Sequence, residues 1–301
     1  MDGYNADEAD VSAKAYAPGH ITGFFEIHDE GSDPRRKGST GCGLVLDSGV
    51  ITEVRVGPLV EKTEIYLNGR RVEGKTTRTV LEAITDLPVR VESRSEIPVG
   101  CGFGASGAGA LGAGYTLNQA LALNLTADTL TEYAHVAEVL NRSGLGDVAA
   151  QSSGGLVIRL KPGSPEFGKI DRIPVPEARV FCIALGEIST GSVLGDPVAT
   201  RAINTAGKIA MSRLLEKPTL ENFMLQAKRF ALDTGLLSER AEEVIEAVDT
   251  VGGLASQAML GDTVFAIPSP GEEFRLYEVM QEFGEVLEYG ISTCIPKLMY
   301  A

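Results

Sequence analysis

The sequence predicts an α+β protein of two domains, and three observations point there. A chain of 301 residues with 44% hydrophobic content is long enough for two modest cores. The patterns after residue 178 run strand, helices, strand, strand, helix, strand, which suits an α+β sandwich. Between the halves, Pro162, Pro165, Pro174 and Pro176 break any periodicity. The domains are therefore placed at residues 11–173 and 174–301.

Residues 11–18 and 23–28 are short apolar runs punctuated by Pro and Gly. Residues 31–43 are polar and glycine-bearing, and read as a mobile loop. Residues 42–56 read as two strands joined at Asp47-Ser48-Gly49. Residues 64–73 read as a hairpin, because Asn68-Gly69 is a preferred two-residue turn. A short helix is expected over 76–86, capped by Thr76 or Thr77, and a strand over 89–93. A glycine-rich segment, 97–107, leads into a small-residue helix ending about residue 123. A further helix spans 129–140 with Asp128 as its cap, and 155–160 is strand-like. In the second half, an apolar strand at 179–185 precedes helical patterns at 197–215, 220–232 and 239–248. Strands near 255–260 and 263–267, a helix at 272–283 and a strand at 286–291 close the chain.

The formal net charge of −14 excludes a generally basic surface for nucleic acid and disfavours anionic membranes. An anionic ligand then needs a local cluster of donors. No run of about 18 apolar residues exists to span a membrane. Residues 1–10 are acidic and lack an apolar core, so the sequence reads as cytoplasmic rather than secreted. Cys42, Cys101, Cys182 and Cys294 are far apart and form no paired motif, as expected of reduced thiols. His20, His28 and His135 show no zinc-ligand spacing with them.

Three glycine patterns compete for a phosphate. Residues 69–76, Gly-Arg-Arg-Val-Glu-Gly-Lys-Thr, satisfy the P-loop spacing, with Lys75 as the phosphate lysine. Their context is a hairpin, and Glu73 would face the anion. Residues 102–107 satisfy a dinucleotide fingerprint, yet its acid some 20 residues on could only be Asp128. The third reading takes the whole loop: Gly100, Gly102, Phe103, Gly104, Ala105, Ser106 and Gly107. Its glycines let backbone approach an oxyanion, and the following helix offers free N–H groups and a positive dipole end.

Downstream, Glu138 lies near a helix end and Asp147 just past the turn at 141–146. Magnesium takes oxygen ligands, usually one or two carboxylates plus phosphates. Glu138 and Ser106 suit that task, and Asp147 can accept the proton of an attacking hydroxyl.

Residues 17–26, Ala-Pro-Gly-His-Ile-Thr-Gly-Phe-Phe-Glu, resemble the N-terminal motif of the GHMP kinases. This superfamily includes galactokinase and the homoserine, mevalonate and phosphomevalonate kinases. Residues 98–108 are similar to its phosphate loop. Glu138, Ser143-Gly144 and Asp147 resemble its magnesium glutamate and catalytic aspartate, and residues 151–155 extend the match. A narrower resemblance, to the archaeal pantoate kinase family, rests on residues 17–25, 144–151 and 258–266. It implies a ribosomal-protein-S5-like N-terminal domain and a ferredoxin-like C-terminal domain. It further implies ATP and Mg²⁺, pantoate as the substrate phosphorylated on its primary hydroxyl, a role in coenzyme A synthesis, and a homodimer. The substrate carboxylate needs donors, and the candidates are His20, Thr22, Ser39, Arg142, Ser189 and Thr190. His20 stands where many members carry Lys or Arg. The alternatives are another small-alcohol kinase of this fold, a P-loop NTPase using Lys75, and a non-catalytic ligand-binding relative.

Overall fold

A computed structural model describes residues 10–187 and 196–300. Two sheets organise the molecule. The first has the order β12-β1-β2-β5-β3-β4, with β6 attached to β2 and β7 to β6. Its backbone is the pairing of β1 (Val11–His28) with β2 (Gly38–Val56), two strands of 18 and 19 residues. The sequence reading divides each into short pieces, because Pro18-Gly19 and Asp47-Ser48-Gly49 look like breaks. Instead β1 passes Pro18 through a register shift before His20, and passes Gly23 through another before Phe24. A bulge absorbs a proline that cannot donate to the ladder. The loop expected at 31–43 is shorter, since β2 begins at Gly38.

The remaining strands of this sheet are β3 (Glu64–Leu67), β4 (Arg70–Val72), β5 (Arg90–Ser95), β6 (Leu156–Lys161), β7 (Lys169–Ile173) and β12 (Lys297–Met299). Asn68 and Gly69 both have positive φ, 50° and 75°, so the predicted hairpin turn forms. Three helices cover one face: α1 (Lys75–Ile84), α2 (Ala105–Ala120) and α3 (Ala127–Leu140). Gly74 in the left-handed region precedes α1, so neither Thr76 nor Thr77 caps it. Thr126 caps α3 by accepting from the Thr129 N–H, and Asp128 sits in the first turn, where its charge favours the helix dipole.

The second sheet runs β11-β8-β10-β9, all antiparallel: β11 (Leu287–Gly290), β8 (Arg179–Gly186), β10 (Asp262–Ile267) and β9 (Leu254–Gln257). Helices α5 (Pro197–Glu216) and α6 (Leu220–Thr234) lie against β1, while α7 (Glu239–Thr250) and α8 (Glu273–Gln281) pack with the second sheet. One core joins the halves. The Phe223 ring lies 6.3 Å from Phe24 of the first sheet and 6.3 Å from Phe265 of the second. The last strand, β12, returns to pair with β1 of the first sheet. The break expected at 161–176 contains β7. Among the described residues no helix is long and apolar enough to cross a membrane.

Candidate active site

The glycine-rich loop ends at the start of α2. Gly100, Gly102 and Gly104 have φ of 78°, 88° and 67°, a region that side chains with a Cβ enter at a cost. Gly104 precedes α2, and among the described residues no side chain caps that end. The first N–H groups of α2 are therefore free to meet an anion. Three distant segments hold the loop. The Gln151 side chain donates to the Gly104 carbonyl at 2.8 Å, the His20 N–H to the Phe103 carbonyl at 3.0 Å, and the Thr263 hydroxyl to the Cys101 carbonyl at 2.8 Å.

Gly100, Gly102, Phe103, Gly104, Ala105 and Ser106 line a cleft of about 480 Å³. Ile65, Leu67 and Val72 make one end of it apolar, and Asp147 lies at the other. Gly107 does not line the cleft. A Cβ on it would lie 2.8 Å from Gln151 Oε1, so this glycine lets α2 approach the helix that carries Gln151. The Phe103 side chain is 1% exposed and packs edge-on against Tyr289, 5.8 Å away, so its backbone faces the cleft and its ring belongs to the core.

That helix, α4 (Asp147–Gln151), is one turn long and too short to show periodicity in the sequence. Asp147 opens it. Glu138 ends the last turn of α3, 1% exposed. Gly144 lets the two carboxylates converge: a Cβ there would lie 2.5 Å from Glu138 Oε1 and 3.0 Å from Asp147 Oδ2. Burial pushes the Glu138 carboxyl well above its usual range, and the like charge of Asp147 pushes the same way. Arg159 and the backbone amides of Val148 and Asp147 oppose them. Among the described residues Glu138 Oε2 has no hydrogen-bond partner.

His20, a candidate for the substrate carboxylate, turns its ring to Asp147. It is fully buried, and its Nδ1 lies 2.7 Å from Asp147 Oδ1. Facing a carboxylate, Nδ1 carries the proton and donates it. Nε2 packs against the Cα of Gly43 and finds no partner among the described residues. Burial lowers the pKa of this ring, which outweighs the raising effect of Asp147, so the imidazole stays neutral. It replaces a cationic helper by a directional donor.

A second opening of about 20 Å³ lies beside Asp147, lined by Thr22, Ser39, Gly146 and Arg159. Ser39 donates to the Leu145 carbonyl at 3.2 Å. Arg142, with φ of 49°, lines the large cleft instead, so the structure separates it from Thr22 and Ser39. Ser189 and Thr190 lie outside the described residues. The sequence reading missed Arg159, on β6. It is 2% exposed, and among the described residues its Nε and Nη1 have no partner. Burial lowers its pKa, while Asp147, Cys42 and Glu138 raise it. A lone arginine on an otherwise buried strand is the signal that could have found it.

Residues 69–76 do not wrap a phosphate. Gly69 is a hairpin turn and residues 70–72 are β4; Lys75 borders the cleft, but its side chain is mostly exposed and lies 3.6 Å from Glu73.

A glycine loop running into a helix, with two converging acids behind it, has the parts that phosphotransfer needs. The family described as "GHMP kinases N terminal domain" matches residues 71–155, and that described as "GHMP kinases C terminal" matches residues 211–286. The chain belongs to the GHMP kinase family, whose members are ATP-dependent kinases. It is 34% identical to the pantoate kinase of Thermococcus kodakarensis over 93% of this chain and 94% of that protein. With the pantoate kinase of Methanocaldococcus jannaschii it shares 36% identity over 84% and 91%. A solved structure described as "Phosphotransferase related to CoA biosynthesis pathway" superposes with a TM-score of 0.87 at 31% identity, covering 96% of this chain and 98% of that one.

Proposed function

We propose that this chain transfers the γ-phosphoryl group of ATP to the primary hydroxyl of pantoate. The observation that carries the reading is Arg159, a buried guanidinium that lines the small opening beside Asp147 and, among the described residues, has two unpartnered nitrogens. A hydroxy acid presents a carboxylate to such a group and its hydroxyl to the aspartate. The opening shares Asp147, Met259 and Leu260 with the larger cleft, so an acceptor in that cleft can turn its carboxylate toward Arg159. The names of the curated relatives support pantoate as that acid.

Asp147, its Oδ1 fixed by His20, orients the acceptor hydroxyl and takes its proton. The new oxygen–phosphorus bond forms as the bond from the γ-phosphorus to the leaving ADP breaks. The N–H groups at the start of α2 hold the phosphates in line, so positioning and charge neutralisation supply most of the rate. Glu138 and Ser106 would hold Mg²⁺. The fit rests on an unpartnered buried Glu138 oxygen set against a like-charged Asp147, a donor set of oxygens that suits this ion. When bound, the ion neutralises charge on the phosphate oxygens. Thr22 and Ser39 border the acceptor, and Arg142 borders the nucleotide. In this reading residues 11–173 form the catalytic unit and 174–301 the second unit, with β12 reaching back across.

The test is ADP release with D-pantoate, homoserine and mevalonate side by side. Turnover is expected with pantoate above both others: the ammonium of homoserine meets Arg159 unfavourably, and the names of the relatives favour pantoate over mevalonate. Equal turnover of homoserine or mevalonate, or no ADP with any acceptor, overturns the reading.

A further inference from the structure

The pattern at residues 69–76 is no P-loop, yet its last residue ends inside the cleft. Thr76 is 5% exposed and lines the same cavity as Ser106 and Ser143. Its Oγ1 accepts from Ser106 Oγ at 3.0 Å and donates to Ser143 Oγ at 2.9 Å. One turn along α1, Thr79 Oγ1 accepts from Asn141 Nδ2 at 2.9 Å. The Ser143 N–H in turn donates to the Glu138 carbonyl at 3.1 Å. Helix α1 thus stitches the start of α2 to the turn between the two acids.

The chemistry of the relay is directional. A hydroxyl has one proton and two lone pairs. An oxygen that binds a hard cation must offer a lone pair and send its proton elsewhere. Ser106 sends its proton to Thr76, and Thr76 can accept it because its own proton goes to Ser143. A valine of the same shape would leave Ser106 free to turn its proton toward the cation or a phosphate.

We propose that Thr76 is a positioning residue, whose hydroxyl holds Ser106 as a lone-pair donor toward the nucleotide's cation and ties the phosphate loop to the turn between Glu138 and Asp147. The proposal rests on the kinase reading above, with Ser106 as a cation ligand.

The experiment compares Thr76→Val, Thr76→Ser, Ser106→Ala and the Val/Ala double variant by ADP release with D-pantoate, titrating Mg²⁺ at saturating ATP. Thr76→Ala serves as a second hydroxyl-free variant should valine fail to pack; thermal unfolding reports on folding, and its dependence on Mg²⁺ in the presence of ADP reads cation binding apart from turnover, with the same shift expected. Loss of a group that orients a metal ligand typically costs about 10–100-fold. Thr76→Val is therefore expected to raise the half-saturating Mg²⁺ concentration about tenfold and to lower kcat similarly, with the KM for pantoate unchanged. Thr76→Ser restores both, and Thr76→Val adds nothing once Ser106 is alanine. A shifted Mg²⁺ curve in Ser106→Ala with an unshifted one in Thr76→Val and Thr76→Ala overturns the proposal alone. So does a Thr76→Ser variant as impaired as Thr76→Val, or full additivity in the double variant. An unshifted curve in Ser106→Ala overturns the underlying assignment of Ser106, and the proposal with it.

Discussion

At the residue scale, the site depends on groups that give up solvent for direction. Asp147 keeps its rotamer through a single bond from a fully buried imidazole. Asp147→Asn cannot take the hydroxyl proton, and its amide offers His20 a poorer acceptor. Turnover should fall by about 10²–10⁴-fold, the usual weight of a positioned base, while ATP binding measured by titration calorimetry survives. Arg159 gives a prediction in which stability and recognition move oppositely. Its buried charge lacks partners on two nitrogens, so Arg159→Met removes a desolvation cost and should leave the melting temperature equal or higher. In the proposed reading the same change removes charge-assisted bonds to the acceptor carboxylate, about 1.5–3 kcal/mol, so the KM for pantoate should rise at least about tenfold. An unchanged KM would remove Arg159 from acceptor recognition.

At the scale of elements, the turn between α3 and α4 matters most. It is six residues long, yet it brings Glu138 and Asp147 together because Gly144 presents no side chain to either. Gly144→Ala should fold, since the obstacle is carboxylate oxygen rather than backbone. It should nonetheless lose most activity, because the methyl group pushes the carboxylates from their common focus. Circular dichroism together with the ADP-release assay checks both halves of that statement. Elements also show where sequence patterns stop being informative. The hairpin at Asn68-Gly69 and the helices α2 and α3 announce themselves by turn chemistry and periodicity. One-turn α4 and three-residue β12 cannot, being too short to repeat the period that would reveal them. The long strands β1 and β2 read as fragments because irregularities at Pro18 and Gly23 of β1, and at Asp47-Ser48-Gly49 of β2, interrupt the local pattern without ending the ladder.

For the whole molecule, the two sheets meet at the phosphate loop. A Cβ on Gly261 would collide with the Cys101 carbonyl, and Thr263 donates to that same carbonyl. The second half therefore shapes the loop without lining much of the cleft. The global pH response follows from the histidines. His20 and His135 are buried, and burial lowers both pKa values. Each stays neutral in the fold and becomes protonated in the unfolded chain below about pH 6.5. The unfolded state then binds more protons, so these groups contribute stability above about pH 6.5 that is lost as pH falls toward their folded values. Glu138, held high, acts oppositely in the same range by taking up a proton in the fold. The contrast between variants isolates one group: His135→Gln should show a shallower loss of melting temperature from about pH 6.5 to 5 than the parent. Equal slopes would mean that His135 titrates alike in both states.

The sequence by itself determined the α+β class, the glycine loop before α2, and the two acids, because each rests on residue type and short-range spacing. Glycine permits the left-handed turns wherever it occurs, and a carboxylate past a helix end is visible in one dimension. Only the tertiary structure decided what surrounds them. It turned His20 toward Asp147, packed Gly107 against Gln151, and set Arg159 beside the small opening next to Asp147. It also drew Thr76 into contact with Ser106. These partners come from four different elements, and burial, which no single segment encodes, makes each contact matter.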